Sequence, residues 1–415
     1  MDDFDVVTLD YSALVGAPVN VSLNDVLSLI EGIEFEQDLR DLFDLDTRSR
    51  LTIPIKGFSY LISTILRVES RFEKLDALLH VSQVSFVKTT ESKQAVLYFK
   101  DVNLSGLSSE FYATTVYSAK REYFDQVYRI EKFADYCNSN GYSALIKHNI
   151  DYLNIQFEEE QSNEKIYRLL EDQNGDFFLR TVTSTRYSDY GNRFCVFATL
   201  MALSEIAIKS ETTLEVNFCE FNESFINLFI TDSVVHDLKG IGQLSFSLKM
   251  SNDELRREAF NFTGVFRLSL QNKEKPIDIF IQPRPENLKV KVLSIRHTGS
   301  PAKVFERLAE LPRYMHDLKE EMLDDIKAIF EIKNSDQLRI KLINKVNRAK
   351  TTSLKGTKQQ ILGVLSERVT SLSELLFLMD KVNENVTDFE VKDYLRYLFY
   401  EILNGADNKK ILRGD

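Results

Sequence analysis

The sequence predicts an α+β fold, in which a large, mostly antiparallel sheet core with packed helices is followed by an all-α C-terminal domain. Between residues 81 and 300 the chain holds many short segments of β-branched and aromatic residues. Several of these alternate apolar with polar residues, as half-buried antiparallel strands do. The region lacks the strand–helix alternation of a parallel sheet and any fixed repeat. Beyond residue 300, apolar residues recur at helical spacing.

The length and composition indicate a globular protein of two or three domains. The chain has 415 residues, of which 43% are hydrophobic and 28% charged. We predict an acidic N-terminal segment at 1–50, an α+β core domain at 51–299 and a helical domain at 300–415. The three cysteines are odd in number and widely spaced, unlike a secreted disulfide framework. No apolar run has membrane-spanning length and no signal peptide is evident, so we expect a cytoplasmic protein.

The individual helices are predicted from the spacing of apolar residues and from capping and proline residues. Ser22 followed by Asp25 fits a helix cap with a first-turn acid, and apolar residues at helical spacing continue from Val26. Ser300-Pro301 is a second start signal, and Pro312 predicts a kink in the long helix that follows. Helices are predicted at 58–79, 123–138, 193–209, 301–329, 335–350, 358–369, 371–383 and 388–403.

Charge is distributed unevenly along the chain. The net charge is −11, and residues 1–46 contain twelve acidic residues against one basic residue, Arg40. Residues 333–358 contain eight basic residues and one acidic residue. Because electrostatic potential is screened within about 8–10 Å, an acidic protein can still present a face that binds polyanions. A solvated surface is the alternative interpretation of both charge runs, and the two interpretations stay equally open.

The sequence predicts no catalytic residue, no metal site and no cofactor, and it leaves enzymatic activity undecided. None of the five histidines lies at helical or strand-pair spacing from another, as metal-binding histidines usually do. The chain lacks a phosphate loop, a dinucleotide fingerprint and a nucleophile elbow. The acidic pair Asp44 and Asp46, like the run 158–160, is better explained as solvated surface. His297 closes the sheet region, and a structural role is favoured for it over a catalytic one.

Two basic clusters are candidates for binding nucleic acid, by gripping phosphates with cations while tyrosines stack on bases. The first leaves a predicted strand and enters the helix at 193; its candidate residues are Arg180, Arg186, Tyr187, Tyr190 and Arg193. The second is the basic run, with Lys333, Arg339, Lys341, Lys345, Arg348, Lys350, Lys355 and Lys358. For the first cluster, an ordinary polar loop with arginines stacked on a neighbouring sheet is the alternative.

Three segments resemble motifs of the phage/plasmid-like protein family, whose function is unknown. Residues 179–187 fit its LRxxxSxRY stretch, 251–254 with the following strand resemble its SNSE motif and YR continuation, and 296–299 resembles a later histidine motif. The order of the motifs agrees, over roughly residues 50–330. After Arg267 the family tends to show a Cys-Asn-Gly turn, which this chain lacks. The resemblance implies a mobile-element setting near DNA-recombination genes, and therefore the cytoplasm of a bacterial host cell, but no mechanism.

Three functional hypotheses follow. The first is a phage- or plasmid-encoded oligomeric protein that binds single-stranded DNA without sequence preference in replication or recombination, with the acidic N-terminal segment restraining binding. The second is a non-enzymatic structural or interaction protein, built as a homo-oligomer by docking the acidic segment of one subunit on the basic helices of the next. The third and least supported is a metal-dependent enzyme. We expect no membrane partner.

Overall fold

A computed structural model describes residues 4–404 apart from 49, 104–108, 158–162, 189, 210–212, 239–241, 256–257, 271–276, 285, 287, 289, 291, 331, 333, 351–353 and 355. The chain forms two compact units. Unit 1 consists of Met1–Phe4 and Ile65–Asp189, and unit 2 consists of Asp5–Thr64 and Tyr190–Asp415.

The secondary structure confirms the α+β prediction. The strands are β1 (Val7–Leu9), β2 (Val21–Ser22), β3 (Thr52–Ile53), β4 (Ile55–Lys56), β5 (Phe72–His80), β6 (Val84–Thr89), β7 (Ala95–Phe99), β8 (Phe111–Thr115), β9 (Glu164–Asp172), β10 (Phe177–Thr183), β11 (Leu214–Phe221), β12 (Phe225–Leu238), β13 (Gly242–Asp253), β14 (Phe260–Leu270), β15 (Ile277–Ile281) and β16 (Leu293–Ile295). The α-helices are α1 (Tyr11–Leu14), α2 (Leu23–Ile30), α3 (Glu36–Phe43), α4 (Phe58–Glu69), α5 (Ala119–Glu122), α6 (Glu131–Ser139), α7 (Ser143–Phe157), α8 (Asn192–Lys209), α9 (Pro301–Leu308), α10 (Leu311–Phe330), α11 (Ser335–Arg348), α12 (Lys358–Val364), α13 (Leu372–Glu384) and α14 (Phe389–Asn404).

Unit 1 is built on a six-stranded sheet in the order β5-β9-β10-β8-β7-β6. Its neighbouring strands are antiparallel except for the parallel pair β8 and β10. Alternate residues of β7 and β9, such as Leu97 and Leu169, are buried in an apolar core that also takes Ile146 and Ile150 from α7. The alternation that predicts half-buried strands therefore places one face of this sheet against helices.

Unit 2 contains an eight-stranded sheet in which β1-β11-β12-β13-β14-β15 are neighbours, while β16 pairs with β14 and β4 with β11. Both faces of β13 are buried. Leu248 and Met250 belong to its apolar face, and Ser247 and Lys249 to the opposite face. Lys249 donates to Asp393 of α14 at 2.6 Å, so α14 covers the polar face.

The two units differ in their bounds from the three segments that the sequence predicts. The predicted core domain at 51–299 is divided between the units, and both the acidic segment and the C-terminal helices belong to unit 2. Hydrophobic periodicity identifies helices and strands, but it does not say which of them pack together.

The predicted helix at 58–79 is wrong in its second half. Helix α4 ends at Glu69, and β5 begins at Phe72. Short apolar runs fit both helical and strand periods, and here pairing with β9 selects the strand. The long helix predicted after Ser300 is likewise two helices, because α9 ends at Leu308 and α10 begins at Leu311.

The acidic N-terminal segment is part of the fold of unit 2. The predicted start of α2 is confirmed, since the Ser22 side chain accepts from the Asp25 N–H and the Asp25 carboxylate accepts from the Ser22 N–H. Val26, Leu29 and Leu39 are fully buried. Burying a side chain of this size stabilises a fold by about 1.5–3 kcal/mol relative to leaving it exposed, so the segment is anchored and not a free arm.

Across the residues described above, no helix is both long and apolar enough to cross a membrane.

Candidate functional site

The Arg/Tyr cluster that the sequence predicts is divided between the two units. Arg180, Arg186 and Tyr187 belong to unit 1, whereas Tyr190 and Arg193 belong to unit 2. Arg180 lies on β10 and is fully buried, so its guanidinium is not on a surface that could reach phosphates. Arg186 is the exposed arginine of this group. The sequence does not reveal whether a charged side chain is exposed. The burial of Arg180 removes it from the candidate interface.

Tyr187 is half-buried, and its ring contacts a cation of its own unit. The guanidinium carbon of Arg168 lies 5.0 Å from the Tyr187 ring centroid, within the range of a cation–π interaction. Arg168 is itself buried and forms an ion pair of 2.8 Å with Asp76. One face of the Tyr187 ring is therefore covered by Arg168 and is not available to a base.

Tyr190 is fully buried, which corrects its predicted role in base stacking. Its ring stacks on Phe194 of α8 with centroids 4.8 Å apart, and its hydroxyl donates to the Gly299 carbonyl at 2.9 Å. Burial raises the pKa of Tyr190 to about 12, so the hydroxyl stays protonated and donates throughout the neutral range. Tyr190 thus has a packing role inside unit 2.

Arg193 closes the C-terminal end of α2. Its Nε donates to the Leu29 carbonyl at 2.9 Å, and its Nη2 donates to the carbonyls of Ser28 at 2.8 Å and Glu31 at 2.5 Å. The last carbonyls of a helix lack partners within the helix, and a cation there also interacts favourably with the helix dipole. This arginine therefore fastens the acidic segment to α8, and its donors are used internally.

Two of the three motifs of the family resemblance, 251–254 and 296–299, meet at the start of α8 in unit 2. The Glu254 carboxylate accepts from the Asn192 N–H at 3.0 Å, and the Asn252 side chain donates to the Tyr190 carbonyl at 3.0 Å. The His297 ring lies 5.4 Å from the Tyr190 ring, centroid to centroid. A carboxylate at a helix N-terminus is favoured by the free N–H groups and the dipole there. The sequence presents these motifs separately, and their convergence is a feature that only the fold reveals.

The basic run places its cations in several different environments. Lys333 and Lys355 lie outside the described residues. Arg339 is 6% exposed, bonds to Asp336 at 2.6 Å and donates to the Leu365 carbonyl at 2.8 Å, so it joins α11 to the end of α12. Lys358 donates to the Asn347 and Ala349 carbonyls at the C-terminal end of α11.

Three cations of α11 share one flank of the helix, which we call the basic flank: Lys341, Lys345 and Arg348. Their spacing of four and three residues aligns them over two turns. Lys341 is half-buried, and Lys345 and Arg348 are exposed. The exposed Lys350 follows the helix. This flank is the part of the predicted interface that the structure leaves on the surface of unit 2.

A neighbouring cluster beside the basic flank was missed by the sequence analysis. Arg284 and Lys345 both form ion pairs with Glu401, and the Arg284 guanidinium carbon lies 5.9 Å and 5.5 Å from the ring centroids of Tyr394 and Tyr397. Partial burial acts to raise the pKa of Glu401, but the hydrogen bonds and charges of the two cations outweigh it and hold that pKa below its usual value. The spacing of 394, 397 and 401 places all three on one helix face, a signal that the sequence did contain.

Nothing in the described part of the chain groups three or more histidine, cysteine, aspartate or glutamate side chains as metal ligands. The arrangement of α11 instead offers fixed positive charge beside partly exposed tyrosine rings. Comparison of this chain with protein-family models, with curated proteins and with solved structures found no match.

Proposed function

We propose that the protein binds nucleic acid without sequence preference through the basic flank, and that single-stranded DNA of a phage or plasmid undergoing replication or recombination in the bacterial cytoplasm is its target. The observation that carries the proposal is the alignment of Lys341, Lys345 and Arg348 on one accessible flank of α11. The mobile-element setting comes from the family resemblance alone.

The chemistry of this surface is neutralisation of backbone phosphates with release of counterions. Each phosphate contact on a single strand contributes roughly −0.7 to the slope of log K against log salt, so three contacts give a slope of about −2. Three contacts make a weak site by themselves, and working as an oligomer would multiply them. Tyr394, half-buried beside Arg284, replaces Tyr190 as the ring proposed to stack on bases.

In this proposal the acidic N-terminal segment restrains binding through carboxylates that are fixed in place on the surface. Asp38 and Asp41 are exposed on α3, while the apolar side of that helix is buried at Leu39. Fixed carboxylates oppose the approach of a polyanion over about a Debye length. Restraint of this kind weakens binding by repulsion and needs no displacement of the segment.

The test is fluorescence anisotropy of a labelled single-stranded 40-mer oligonucleotide across a salt series. The test variant neutralises the basic flank with Lys341→Gln, Lys345→Gln and Arg348→Gln. The control is Lys303→Gln, Arg307→Gln and Arg313→Gln, which removes the same charge from exposed positions on α9 and in the first turn of α10.

We expect affinity at low salt to fall by at least about tenfold in the test variant, and the salt slope to become shallower by about 2. The control variant shares the change in net charge but not the site, so its slope stays that of the unmodified protein. Equal losses in both variants, or no binding by the unmodified protein at low salt, would refute the proposal.

The second candidate function is assembly of a structural homo-oligomer by docking acidic α3 of one subunit on the basic flank of another. Exposed carboxylates on α3 and exposed cations on α11 favour it through charge complementarity. It predicts that, without nucleic acid, the molecular mass of the assembly falls as salt is added. At low salt, the assembly of the basic-flank variant is expected to have a smaller mass than that of the unmodified protein. Sedimentation of the same two variants distinguishes it from nucleic-acid binding.

A further inference from the structure

Helix α7 of unit 1 has apolar residues on two opposite faces. Its inner face carries Ile146 and Ile150, which are fully buried in the core of unit 1. Its outer face carries a second row of residues, which we call the outer stripe: Leu145, His148, Tyr152 and Ile155. Leu145, Tyr152 and Ile155 are 48%, 59% and 61% exposed, and His148 is exposed as well. A helix with one buried face normally carries polar residues on the other, so the outer stripe indicates a second packing partner.

The spacing of the outer stripe is that of a seam between two helices. Leu145 and Tyr152 are seven residues apart, as are His148 and Ile155. At 3.6 residues per turn the four side chains fall within an arc of about 80°, on the side opposite the buried face. Side chains at this repeat insert into holes on the surface of a facing helix. The period therefore favours a helix as the partner over a sheet or a small ligand.

The outer stripe has the same pattern from either end of α7. Leu145 and Ile155 are aliphatic residues at its two ends, and the rings of His148 and Tyr152 lie between them. Two α7 helices that pack antiparallel about a two-fold axis near residue 150 place Leu145 of one copy beside Ile155 of the other. His148 of one copy then lies beside Tyr152 of the other, where a ring nitrogen and a hydroxyl can form a hydrogen bond. A two-fold interface requires a surface that is complementary to itself, and the outer stripe meets this requirement.

The charged side chains of α7 fit the same arrangement. Lys147 and Asp151 form an exposed ion pair of 2.7 Å on one flank of the helix. An antiparallel two-fold arrangement brings the same flank of both helices together. Because Lys147 and Asp151 lie symmetrically about residue 149, Lys147 of one copy comes close to Asp151 of the other. The contact is therefore complementary in charge as well as in shape.

Exposed tyrosines continue this surface at the start of α7. The Leu145 N–H donates to the Tyr142 carbonyl at 3.0 Å, and the Tyr142 ring lies 6.3 Å from the Tyr136 ring of α6, centroid to centroid. Tyr136 and Tyr142 are 60% and 48% exposed. Tyrosine is enriched in interfaces between proteins, because its ring is apolar and its hydroxyl finds a polar partner. The two tyrosines enlarge a seam that would be small with two heptads alone.

We propose that α7 is the contact of a homodimer, in which two copies of this chain pack their outer stripes antiparallel. The proposal goes beyond binding of nucleic acid, because it uses neither the basic flank nor α3. A dimer would present two basic flanks to one strand and raise the affinity for it. Two short helices form an interface at the small end of the known range, so the dimer is expected to be in equilibrium with the monomer.

The test is sedimentation of the full-length protein over a range of concentrations, without nucleic acid, at about 0.1 M and 0.5 M salt. The stripe variant is Tyr152→Gln with Ile155→Gln. The control is Tyr112→Gln with Ile208→Gln, which replaces the same two residue types at positions outside α7 that are 60% and 58% exposed. Thermal unfolding of both variants shows whether each still folds, which the exposure of all four positions predicts.

We expect the unmodified protein to dimerise in the micromolar range. Its dissociation constant should change by less than about threefold between the two salt concentrations, because contacts between apolar side chains are not screened. The stripe variant should dimerise at least about tenfold more weakly, since a buried tyrosine is a common hot spot, and the control should stay within about twofold of the unmodified protein.

A charge exchange tests the antiparallel orientation. Asp151→Lys places a lysine close to Lys147 of the other copy and is expected to weaken the dimer. Lys147→Asp with Asp151→Lys restores the opposite charges and should restore the dimer to within about threefold of the unmodified protein. Equal losses in the single and the double variant would overturn the antiparallel arrangement.

Three further results would overturn the proposal: a monomer at every concentration, equal losses in the stripe variant and the control, or a dimer that dissociates in salt and is weakened by the basic-flank variant instead. The last result would show that α3 docks on α11. A dimer that depends on the outer stripe in a protein without affinity for nucleic acid would refute the proposed function and leave this inference standing.

Discussion

The guanidinium Nη2 of Arg396 lies 3.1 Å from Oε2 of Glu220, and both side chains are almost completely buried. Glu220 belongs to β11 and Arg396 to α14, so the pair joins the last helix to the sheet. The Arg396 guanidinium carbon also lies 4.8 Å from the Phe229 ring centroid. Asp393 accepts from Arg396 at 2.5 Å and from Lys249 at 2.6 Å. This buried network is why the C-terminal helices belong to unit 2 and do not form a separate domain.

Removing one partner of the buried pair is expected to destabilise unit 2 strongly. Among the described residues, Arg396→Met leaves the buried Glu220 carboxylate paired with Lys392 alone, and breaking a buried pair costs about 3–5 kcal/mol. The measurement is urea unfolding, with Glu220→Gln/Arg396→Met completing a double-mutant cycle. We expect the double variant to lose less than the sum of the single losses. Additive losses in the free energy of unfolding would show that the two residues act independently. The control is Lys209→Met, which removes an exposed ion pair with Glu205 and is expected to change the free energy of unfolding very little.

The network also predicts how stability depends on pH. Burial acts to raise the pKa of Asp393, but the charges of Lys249 and Arg396 outweigh it and hold that pKa below its usual value. Because the folded pKa is below the unfolded value of about 3.9, the carboxylate contributes full stability above pH 4 to 5 and loses it as pH falls through the folded pKa. Asp393→Asn should therefore lower the free energy of unfolding most at neutral pH, with the difference shrinking in acid. A difference that is the same at pH 6 and pH 2.5 would contradict this.

Tyr190→Phe separates the packing role of this residue from a role in nucleic-acid binding. The variant loses the hydroxyl that donates to the Gly299 carbonyl but keeps the ring that stacks on Phe194. We expect the free energy of unfolding to fall by about 0.5–1.5 kcal/mol. Affinity for the single-stranded 40-mer should not change, since the side chain is buried. A loss of affinity without a loss of stability would return Tyr190 to the interface.

Arg193→Lys tests how the acidic segment is held in unit 2. The guanidinium donates to three carbonyls at the end of α2, and a lysine ammonium cannot reproduce that planar arrangement. We expect a loss of about 1–3 kcal/mol in the free energy of unfolding, and faster proteolysis between residues 20 and 46. Wild-type protease resistance in this variant would mean that apolar burial at Leu29 and Leu39 is enough to hold the segment.

Several elements could be predicted from sequence because local chemistry decides them. Ser22 and Asp25 lie three residues apart and cap α2 through their own side chains and backbones. The predicted helix at 193–209 differs by one residue from α8, Asn192–Lys209. Segments of β-branched and aromatic residues that alternate with polar residues predicted antiparallel strands for the same reason, because the alternation of side chains along a strand is a local property. The strand at Phe72–His80 was missed because its apolar spacing also fits a helix, and a distant strand decides between them.

The sequence by itself determined the α+β class, the caps, and the presence of an acidic segment and a basic run. Only the tertiary structure decided which charges are available. It buries Arg180 and Arg339, commits Arg193 to the end of α2, and leaves Lys345 and Arg348 on a surface. It also buries one apolar face of α7 and leaves the other exposed. The physical reason is that burial and the partner of a polar group depend on long-range packing, whereas propensity, period and capping act over a few residues.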